Sequence, residues 1–341
     1  MTILVTGGCG YIGSHTLVDL LENGYDVVSI DNNSRSTLQL LRGVERITGK
    51  EIINYTIDIC DHAALREVFS KHKFDGIIHF AAYKSVDESV REPLLYFQNN
   101  LVSQINMLRC CEEFGIKNFV FSSSCSVYGN AEKIPVTELT VLNEAQSPYG
   151  RSKQIGEDMI RDIAKTGKTR FILLRYFNPA GSHPSGEIGE IPHGRPSNLV
   201  PAITQFAAGK LPGLQVFGTD YDTRDGSCVR DFVHVSDIAH AHTLALDFLA
   251  RNTEQEFCEI YNLGTGNGIT VLETIKAFEE VSGEKLGYKV ADRRPGDVVA
   301  IYADNKKATD TLRWQPRYDL RDIMRTAWDW EKKMAIATAT Q

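Results

Sequence analysis

Apolar residues fall into two patterns that alternate along this chain. Short continuous runs, such as Ile3-Leu4-Val5-Thr6, take turns with longer stretches in which apolar residues recur every three or four positions, such as Ser14 to Leu21. The first kind predicts buried strands and the second predicts amphipathic helices. Strands are expected at Ile3 to Thr6, Asp26 to Asp31, Ile52 to Ile57, Asp75 to Ala82, Asn118 to Ser124 and Phe171 to Phe177. Helices are expected at Ser14 to Leu21, stopped by Asn23-Gly24, at Ala63 to His72, at Pro93 to Phe114 and from Tyr149 to Lys165. Strand and helix in turn predict an α/β fold: a Rossmann-type, doubly wound parallel sheet.

From about residue 178 the pattern loosens. Residues 181–198 are rich in Gly, Pro, Ser and His and read as loop, and 220–231 are polar and turn-rich. Helical periodicity returns at Leu199 to Ala208, Val235 to Leu249, Val271 to Ser282 and Leu320 to Met334. Ser236 and Asp237 are placed as caps of the second of these. The expected division is a dinucleotide-binding domain over residues 1–177 and a smaller α+β substrate-binding lobe mainly over 178–341. Glu259 to Gly264 reads as a strand that returns to the first sheet.

Composition narrows the class. With 341 residues, 42% of them hydrophobic, the chain is long enough for a sizeable core and a cleft. A formal net charge of −7 advertises no face for nucleic acid. No run reaches the roughly 18 apolar residues of a membrane span. Met1 to Thr6 lacks the basic start and long apolar run of a signal peptide. The 7 cysteines are odd in number, scattered and without a Cys-x-x-Cys pair, the usage of reduced thiols in a cytoplasmic protein. His240 and His242 stand two apart on a helical stretch and point in different directions, so no metal site is expected.

Chemistry gathers at the predicted C-terminal ends of the strands. Gly8, Gly10 and Gly13 fit Gly-x-Gly-x-x-Gly, and Gly7, Gly10 and Gly13 fit Gly-x-x-Gly-x-x-Gly. Such glycines let backbone approach a pyrophosphate, which the positive end of the following helix then holds. Asp31 ends the second strand, where a carboxylate accepts hydrogen bonds from a ribose diol and repels a 2′-phosphate; this selects NAD. Gly10, Asp31, Asp58, Ala81, Ser124 and Phe177 all fall at such ends, where ligands of a doubly wound sheet bind. Tyr149 and Lys153 are one helical turn apart after Pro148. A lysine beside a phenol favours phenolate and lowers its pKa from about 10, giving a base near neutral pH.

Several motifs together resemble the extended short-chain dehydrogenase/reductase superfamily. They are Thr6-Gly7-Gly8 with Gly10-Tyr11-Ile12-Gly13, Asp58-Ile59, Ser122-Ser123-Ser124 with Val127-Tyr128-Gly129, and Tyr149 with Lys153. Tyr176 to Gly186 and Asp225 to Val235 are similar to its nucleotide-sugar epimerases, and the likeness runs from Met1 to about Trp330. The resemblance implies NAD-dependent epimerisation at C4 of a UDP-hexose, interconverting UDP-glucose and UDP-galactose through a transient 4-keto sugar. It implies Ser124, Tyr149 and Lys153 as the catalytic set, with Tyr149 moving the 4-hydroxyl proton.

It implies further that Gly7, Gly10, Tyr11, Ile12 and Gly13 approach the pyrophosphate, that Asp31, Asn32 and Ser36 hold the adenosine ribose, and that Asp58 and Ile59 flank adenine. Phe80, Ala81, Ala82, Lys84, Asn99 and Phe177 would line the rest of the cofactor. Asn178, Asn198 and Leu199 would meet the diphosphate and sugar. Arg230 and Arg294 would hold the diphosphate, Gln215, Val216 and Phe217 the uracil, and Asp297 the uridine ribose. Ile301 would wall the pocket beside the C2 substituent. Being intermediate in size there, it implies some turnover of UDP-GlcNAc and UDP-GalNAc. A homodimer is implied through the helical stretches 93–114 and 149–165.

Arg35 departs from the pattern. It is of the kind that an NADP site uses, yet Asp31 opposes a 2′-phosphate, and a solvated surface arginine is the simpler reading. A 4,6-dehydratase would need an Asp-Glu pair where this chain has Cys125-Ser126. A UDP-glucuronate epimerase or decarboxylase stays open, as does a non-catalytic NAD sensor, although sensors tend to lose the tyrosine or the lysine.

Overall fold

The computed structural model describes residues 1–294 and 297–339. The first elements are β1 (Thr2–Thr6), α1 (Tyr11–Glu22), β2 (Asp26–Ile30), α2 (Leu38–Thr48), β3 (Ile53–Tyr55), α3 (His62–Lys71) and β4 (Gly76–His79). Then come α4 (Val86–Arg91), α5 (Pro93–Phe97), a π-helical turn at Gln98–Val102 and α6 (Ser103–Phe114). β5 (Asn118–Ser124), a 3-10 turn at Cys125–Tyr128, α7 (Pro148–Ala164) and β6 (Arg170–Tyr176) complete the first half.

Six of these strands and β11 (named below) form one seven-stranded sheet in the order β11-β6-β5-β4-β1-β2-β3. Every pairing in it is parallel. The order reverses at β1 and β4, so the crevice at their C-terminal ends is where this fold takes a ligand. Parallel strands buried on both faces need apolar residues at odd and even positions alike. Accordingly Ile3 and Val5 face one core with α1 and α2, while Leu4 faces the other with α3, α6 and α7. Ile172 and Leu174 against Phe171 and Leu173 repeat the division on β6.

The second half holds β7 (Asn178–Ala180), α8 (Leu199–Ala207), β8 (Leu214–Phe217), β9 (Val229–Arg230), β10 (Phe232–His234) and α9 (Val235–Arg251). It continues with β11 (Cys258–Leu263), β12 (Ile269–Thr270), α10 (Val271–Ser282), β13 (Tyr288–Ala291), α11 (Lys306–Leu312) and α12 (Leu320–Ala339). β11 pairs with β6 along its whole length, and Ile238, Ala241 and Leu246 of α9 pack into the core beside α1. The chain thus returns to the first sheet after residue 230. Three two-stranded pairs and a separate core around Ile203, Phe278 and Met324 make up the other lobe.

Some local expectations change. The 93–114 helix is not uniform, because the π turn inserts within it. The cap of α9 is His234, whose Nδ1 accepts from the Ser236 amide at 3.1 Å, and not Ser236 or Asp237. Asp237 instead accepts the Arg317 and Tyr318 amides at 2.9 and 3.2 Å. α2, α4 and α11 have no counterpart among the expected helices. His240 bonds Asp19, and His242 bonds the Ile238 carbonyl. No group of three metal-ligating side chains is assembled among the described residues.

Candidate active site

The cofactor side is built on the turn after β1. Gly7 has φ +74°, which a side chain would disfavour, and its amide donates to the Ile30 carbonyl at 2.7 Å. A Cβ on Gly13 would lie 2.1 Å from the Gly7 carbonyl oxygen, so α1 meets the turn this closely only without one. Gly10 precedes α1, and no side chain caps its first turn. The opening amides, with those of Tyr11 and Ile12 among them, therefore face the crevice unsatisfied by α1 itself. A bare backbone cradle at a helix N-terminus fits a pyrophosphate.

Asp31 stands at the end of the neighbouring β2 and is 9% exposed. Its Oδ2 accepts the Cys9 amide at 3.1 Å, and its Oδ1 accepts the Asn33 amide at 2.9 Å and the Ser36 hydroxyl at 2.6 Å. A carboxylate has about four acceptor sites, so capacity remains for one further donor such as a ribose hydroxyl. The Asn32 amide reaches Asp58 at 3.4 Å and draws the ends of β2 and β3 together. Ile59 is buried in the core with Leu65 and Val68 of α3.

Phe80, Ala81 and Ala82 follow β4, the Ala81 amide donating to Thr6 Oγ1 at 3.2 Å. The Phe80 ring packs 4.5 Å from His242. Asn99 lies in the π turn, a common device for re-aiming side chains at functional sites, and donates to Asn100 at 3.0 Å. Lys84 does not point into open crevice: its Nζ donates to Glu190 at 3.2 Å and lies 5.8 Å from the Tyr11 ring.

The three catalytic candidates meet where β5 gives way to the 3-10 turn and α7 begins. Ser147 caps α7 by accepting the Gly150 amide at 3.1 Å, and Pro148 occupies the first turn. That start sets Tyr149 and Lys153 on the face toward β5. The Lys153 Nζ donates to the Ser122 carbonyl at 2.7 Å and lies 4.8 Å from the Phe121 ring. Burial lowers its pKa to about 8, with Glu157 opposing. Ser124 Oγ accepts from the Ser126 amide and hydroxyl at 3.2 and 3.0 Å, so this serine caps a turn as well as facing Tyr149.

The electrostatics of Tyr149 differ from the expectation. Burial pushes its phenol up to about 12, against the Ser124 hydroxyl, which pulls it down. Lys153 spends its ammonium on the Ser122 carbonyl. Tyr176 lies near enough for its own ionisation to be opposed by Tyr149, and it hydrogen-bonds Ser122.

On the other side of the crevice, Phe177 is 3% exposed, and Asn178 carries a buried side-chain oxygen with no partner among the described residues. An orphaned buried acceptor fits a site that completes itself with a ligand donor. Asn198 donates to Glu190 at 2.7 Å, and Leu199 opens α8. In β8, Gln215 points outward, Val216 is 1% exposed in the lobe core, and Phe217 is half-buried. Val216 can therefore offer a base only its backbone. The Arg294 guanidinium lies 4.5 Å over the Phe217 ring. Arg230 donates to Asp297 at 3.1 Å and to the Val298 carbonyl at 2.8 Å. Ile301 is 6% exposed and packs with Val127, Tyr128, Phe177 and Ala303, which ties it to the turn after Ser124.

Three supporting groups escape sequence reading. Glu190 accepts from both Lys84 and Asn198 on one oxygen, joining the two sides of the crevice. Asp231 is fully buried, accepts the Thr265, Gly266 and Ala303 amides, and fixes the loops around Arg230. Glu157, one turn beyond Lys153, forms a buried pair with Arg175 and also accepts from Ser123 at 2.6 Å. Their partners come from other elements of the fold, 8 to 106 residues away, so no helical or strand spacing marks them.

The profile of GDP-mannose 4,6 dehydratase matches residues 4–327. UDP-glucose 4-epimerase of Bacillus subtilis is 47% identical over 332 residues, 97% of either chain. UDP-glucose 4-epimerase 2 of Arabidopsis thaliana is 46% identical over 333 residues, 96% of this chain and 94% of its own. Among solved structures, a UDP-glucose 4-epimerase from Stenotrophomonas maltophila, with bound NAD and formylated UDP-arabinopyranose, superimposes with TM-score 0.95 at 45% identity and covers 99% of both chains. One from Bifidobacterium longum, in complex with NAD+ and UDP, gives 0.93 at 43% identity and covers 98% of both. The order of the sheet, the glycine cradle at its switch point and this likeness over the whole chain agree, and the chain belongs to the UDP-glucose 4-epimerase family of the extended short-chain dehydrogenases/reductases.

Proposed function

We propose that the chain epimerises C4 of UDP-hexoses, interconverting UDP-glucose and UDP-galactose through a 4-keto sugar, with NAD as resident cofactor. The observation that carries this reading is the convergence of Ser124, Tyr149 and Lys153 on the same strand ends as the Gly7–Gly13 cradle and Asp31. When bound, NAD would supply a hydride acceptor and donor for C4 and a positive ring that favours the phenolate. Tyr149 takes the 4-hydroxyl proton in the first half-reaction and gives it back in the second. The Ser124 hydroxyl holds the same oxygen. Lys153, anchored on Ser122, fixes the face of α7 that carries the phenol. Arg230 and Arg294 supply the positive charge that a diphosphate requires. Phe217 and the β8 backbone support uracil, and Asp297 a ribose hydroxyl.

Pure protein incubated with UDP-galactose and no added cofactor should yield UDP-glucose. No conversion, even with NAD supplied, overturns the reading. Ile301 is β-branched and smaller than an aromatic wall, which supports some turnover of UDP-GlcNAc. The same assay with that sugar tests this, and a complete lack of product refutes it.

A homodimer is supported by apolar side chains on α5, the π turn and α6, where Leu94 is 80% exposed, Val102 37% and Ile105 43%. Beside them a cavity of about 350 Å³ is lined by Ile105, Leu108, Met159 and Ile163. A monomer in sedimentation equilibrium would rule the dimer out. A cytoplasmic location is supported by seven free cysteines, and cell fractionation tests it. No helix among the described residues is long and apolar enough to cross a membrane.

A further inference from the structure

Arg35 is not a solvated surface arginine. Its Nη1 donates to Glu88 Oε2 at 2.8 Å and its Nη2 to Glu88 Oε1 at 2.8 Å, a bidentate pair between residues 53 apart in sequence. The guanidinium also lies 4.5 Å over the Tyr83 ring. Glu88 is held from behind as well. The Tyr96 hydroxyl donates to Glu88 Oε2 at 2.8 Å and accepts the Ser85 amide at 3.0 Å. The acid drives the Arg35 pKa up, and the arginine draws the Glu88 carboxyl down. The guanidinium is committed to this pair.

The position of the pair gives it a role. Arg35 belongs to the loop after β2, and Glu88 to α4, which follows β4. In the sheet these strands flank β1 on either side. An ion pair joining their loops must therefore pass over the crevice in front of the Gly7–Gly13 turn. Both anchors are tied into the site. On one side Ser36, next to Arg35, donates to Asp31 at 2.6 Å. On the other, Tyr83 exchanges hydrogen bonds with Asn100 of the π turn at 2.8 and 3.0 Å, and Asn100 donates to Ser152 of α7 at 3.1 Å.

We infer that Arg35 and Glu88 form a clasp across the adenosine half of the dinucleotide site, which slows release of the dinucleotide and takes Arg35 out of reach of a 2′-phosphate. Neither residue touches the reacting atoms; both are positioning residues. The inference rests on the proposed use of NAD. A bidentate, ring-stacked pair exceeds an ordinary surface ion pair, and its loss should speed release of NAD about fivefold. Lysine offers neither the fork nor the stacking, so Arg35→Lys should behave nearly as Arg35→Ala does.

The test is the rate at which NAD leaves the loaded protein, followed by dialysis and quantified in the released and retained fractions. It needs no turnover. Wild type, Arg35→Ala, Arg35→Lys and Glu88→Gln are compared, with thermal melts to show that each folds. Faster release in all three variants, with the double variant Arg35→Ala/Glu88→Gln no faster than either single one, supports the clasp. Release at the wild-type rate from Arg35→Ala and Glu88→Gln overturns it. Acceleration in Arg35→Ala alone overturns it too, because Arg35 would then act on the dinucleotide directly. A wild-type protein that holds no NAD overturns the proposed function and the clasp with it, a result unlike retention at equal rates.

Discussion

In the proposed reaction Tyr149 moves the proton, and its setting shows what that step must overcome. The phenol stands near 12 because burial removes it from water. A buried phenol is a poor base until a further positive charge arrives, so in the proposed reaction Tyr149 would serve as base only with the cofactor in place. Tyr149→Phe keeps the ring and the packing but loses the proton. Turnover should fall by at least about a hundredfold, while the NAD content of the purified protein stays at the wild-type level. An active Tyr149→Phe variant would remove the phenol from the mechanism.

Support for that residue comes from a charge pair that spacing did not reveal. Arg175 and Glu157 are 1% and 0% exposed at the side chain, and they link β6 to α7 one turn beyond Lys153. Arg175 reaches onward to the Tyr128 hydroxyl at 3.1 Å, and Tyr128 to Asn262 at 2.6 Å. Removing one partner strands a buried charge. Arg175→Met should cost about 3–5 kcal/mol, and adding Glu157→Met should recover most of that, since well-packed apolar pairs often replace buried ion pairs without loss. Urea titrations of the single and double variants measure both. A harmless Arg175→Met would show that the pair does not hold α7.

Among the elements, legibility followed the range of the interactions that form them. The strands of the sheet and α1, α3 and α7 announce themselves because period and caps lie within a dozen residues. The glycine turn, Asp31 and the Tyr149–Lys153 spacing are equally local. α2 was hidden although Thr37 caps it by accepting from Gln39 and Gly49 closes it in the left-handed region. Gly43 interrupts its middle, and the reason is tertiary: a Cβ there would lie 2.4 Å from the Glu187 carbonyl oxygen. The π turn was hidden because apolar periodicity runs on through it. Glu190, Asp231 and Arg175 were hidden because their partners come from other lobes or strands. The cap of α7 is testable by itself. Ser147→Ala removes the acceptor for the Gly150 amide and should cost about 1 kcal/mol. An unchanged urea midpoint would mean that Pro148 alone starts the helix.

Across the whole molecule, four buried histidines set the acid limit. Burial lowers His15, His79 and His234 to about 3 and His242 to about 4, from an ordinary value near 6.5. Below pH 6.5 the unfolded chain therefore takes up protons that the folded chain refuses. The free energy of unfolding then falls as the pH drops, by as much as about 5 kcal/mol per pH unit near pH 5 if all four act together. Asp231 and Asp237, whose carboxyls burial holds above the usual range, bind protons in the folded state and oppose this at more acidic pH. Urea unfolding at pH 7, 6 and 5 should show the loss. A midpoint that does not move over that range would mean that these rings are protonated in place.

The return of β11 to the edge of the sheet beside β6 has a consequence for how the protein is made. A ribosome emits the chain from its N-terminus at roughly 5–20 residues per second. Until residue 263 has emerged, β6 is a bare edge of apolar strand, and the face that α9 covers is open. Between the end of β6 at residue 176 and that of β11 at residue 263, for roughly 4–17 s of synthesis, the nascent chain holds most of a sheet that cannot close. Fragments cut near residue 177 should therefore be sticky and chaperone-dependent. The second lobe begins before β11 and is finished after it, with β7, α8 and β8 on one side of that strand in sequence and α10, β13 and α12 on the other, so the sheet closes while the lobe is only half made.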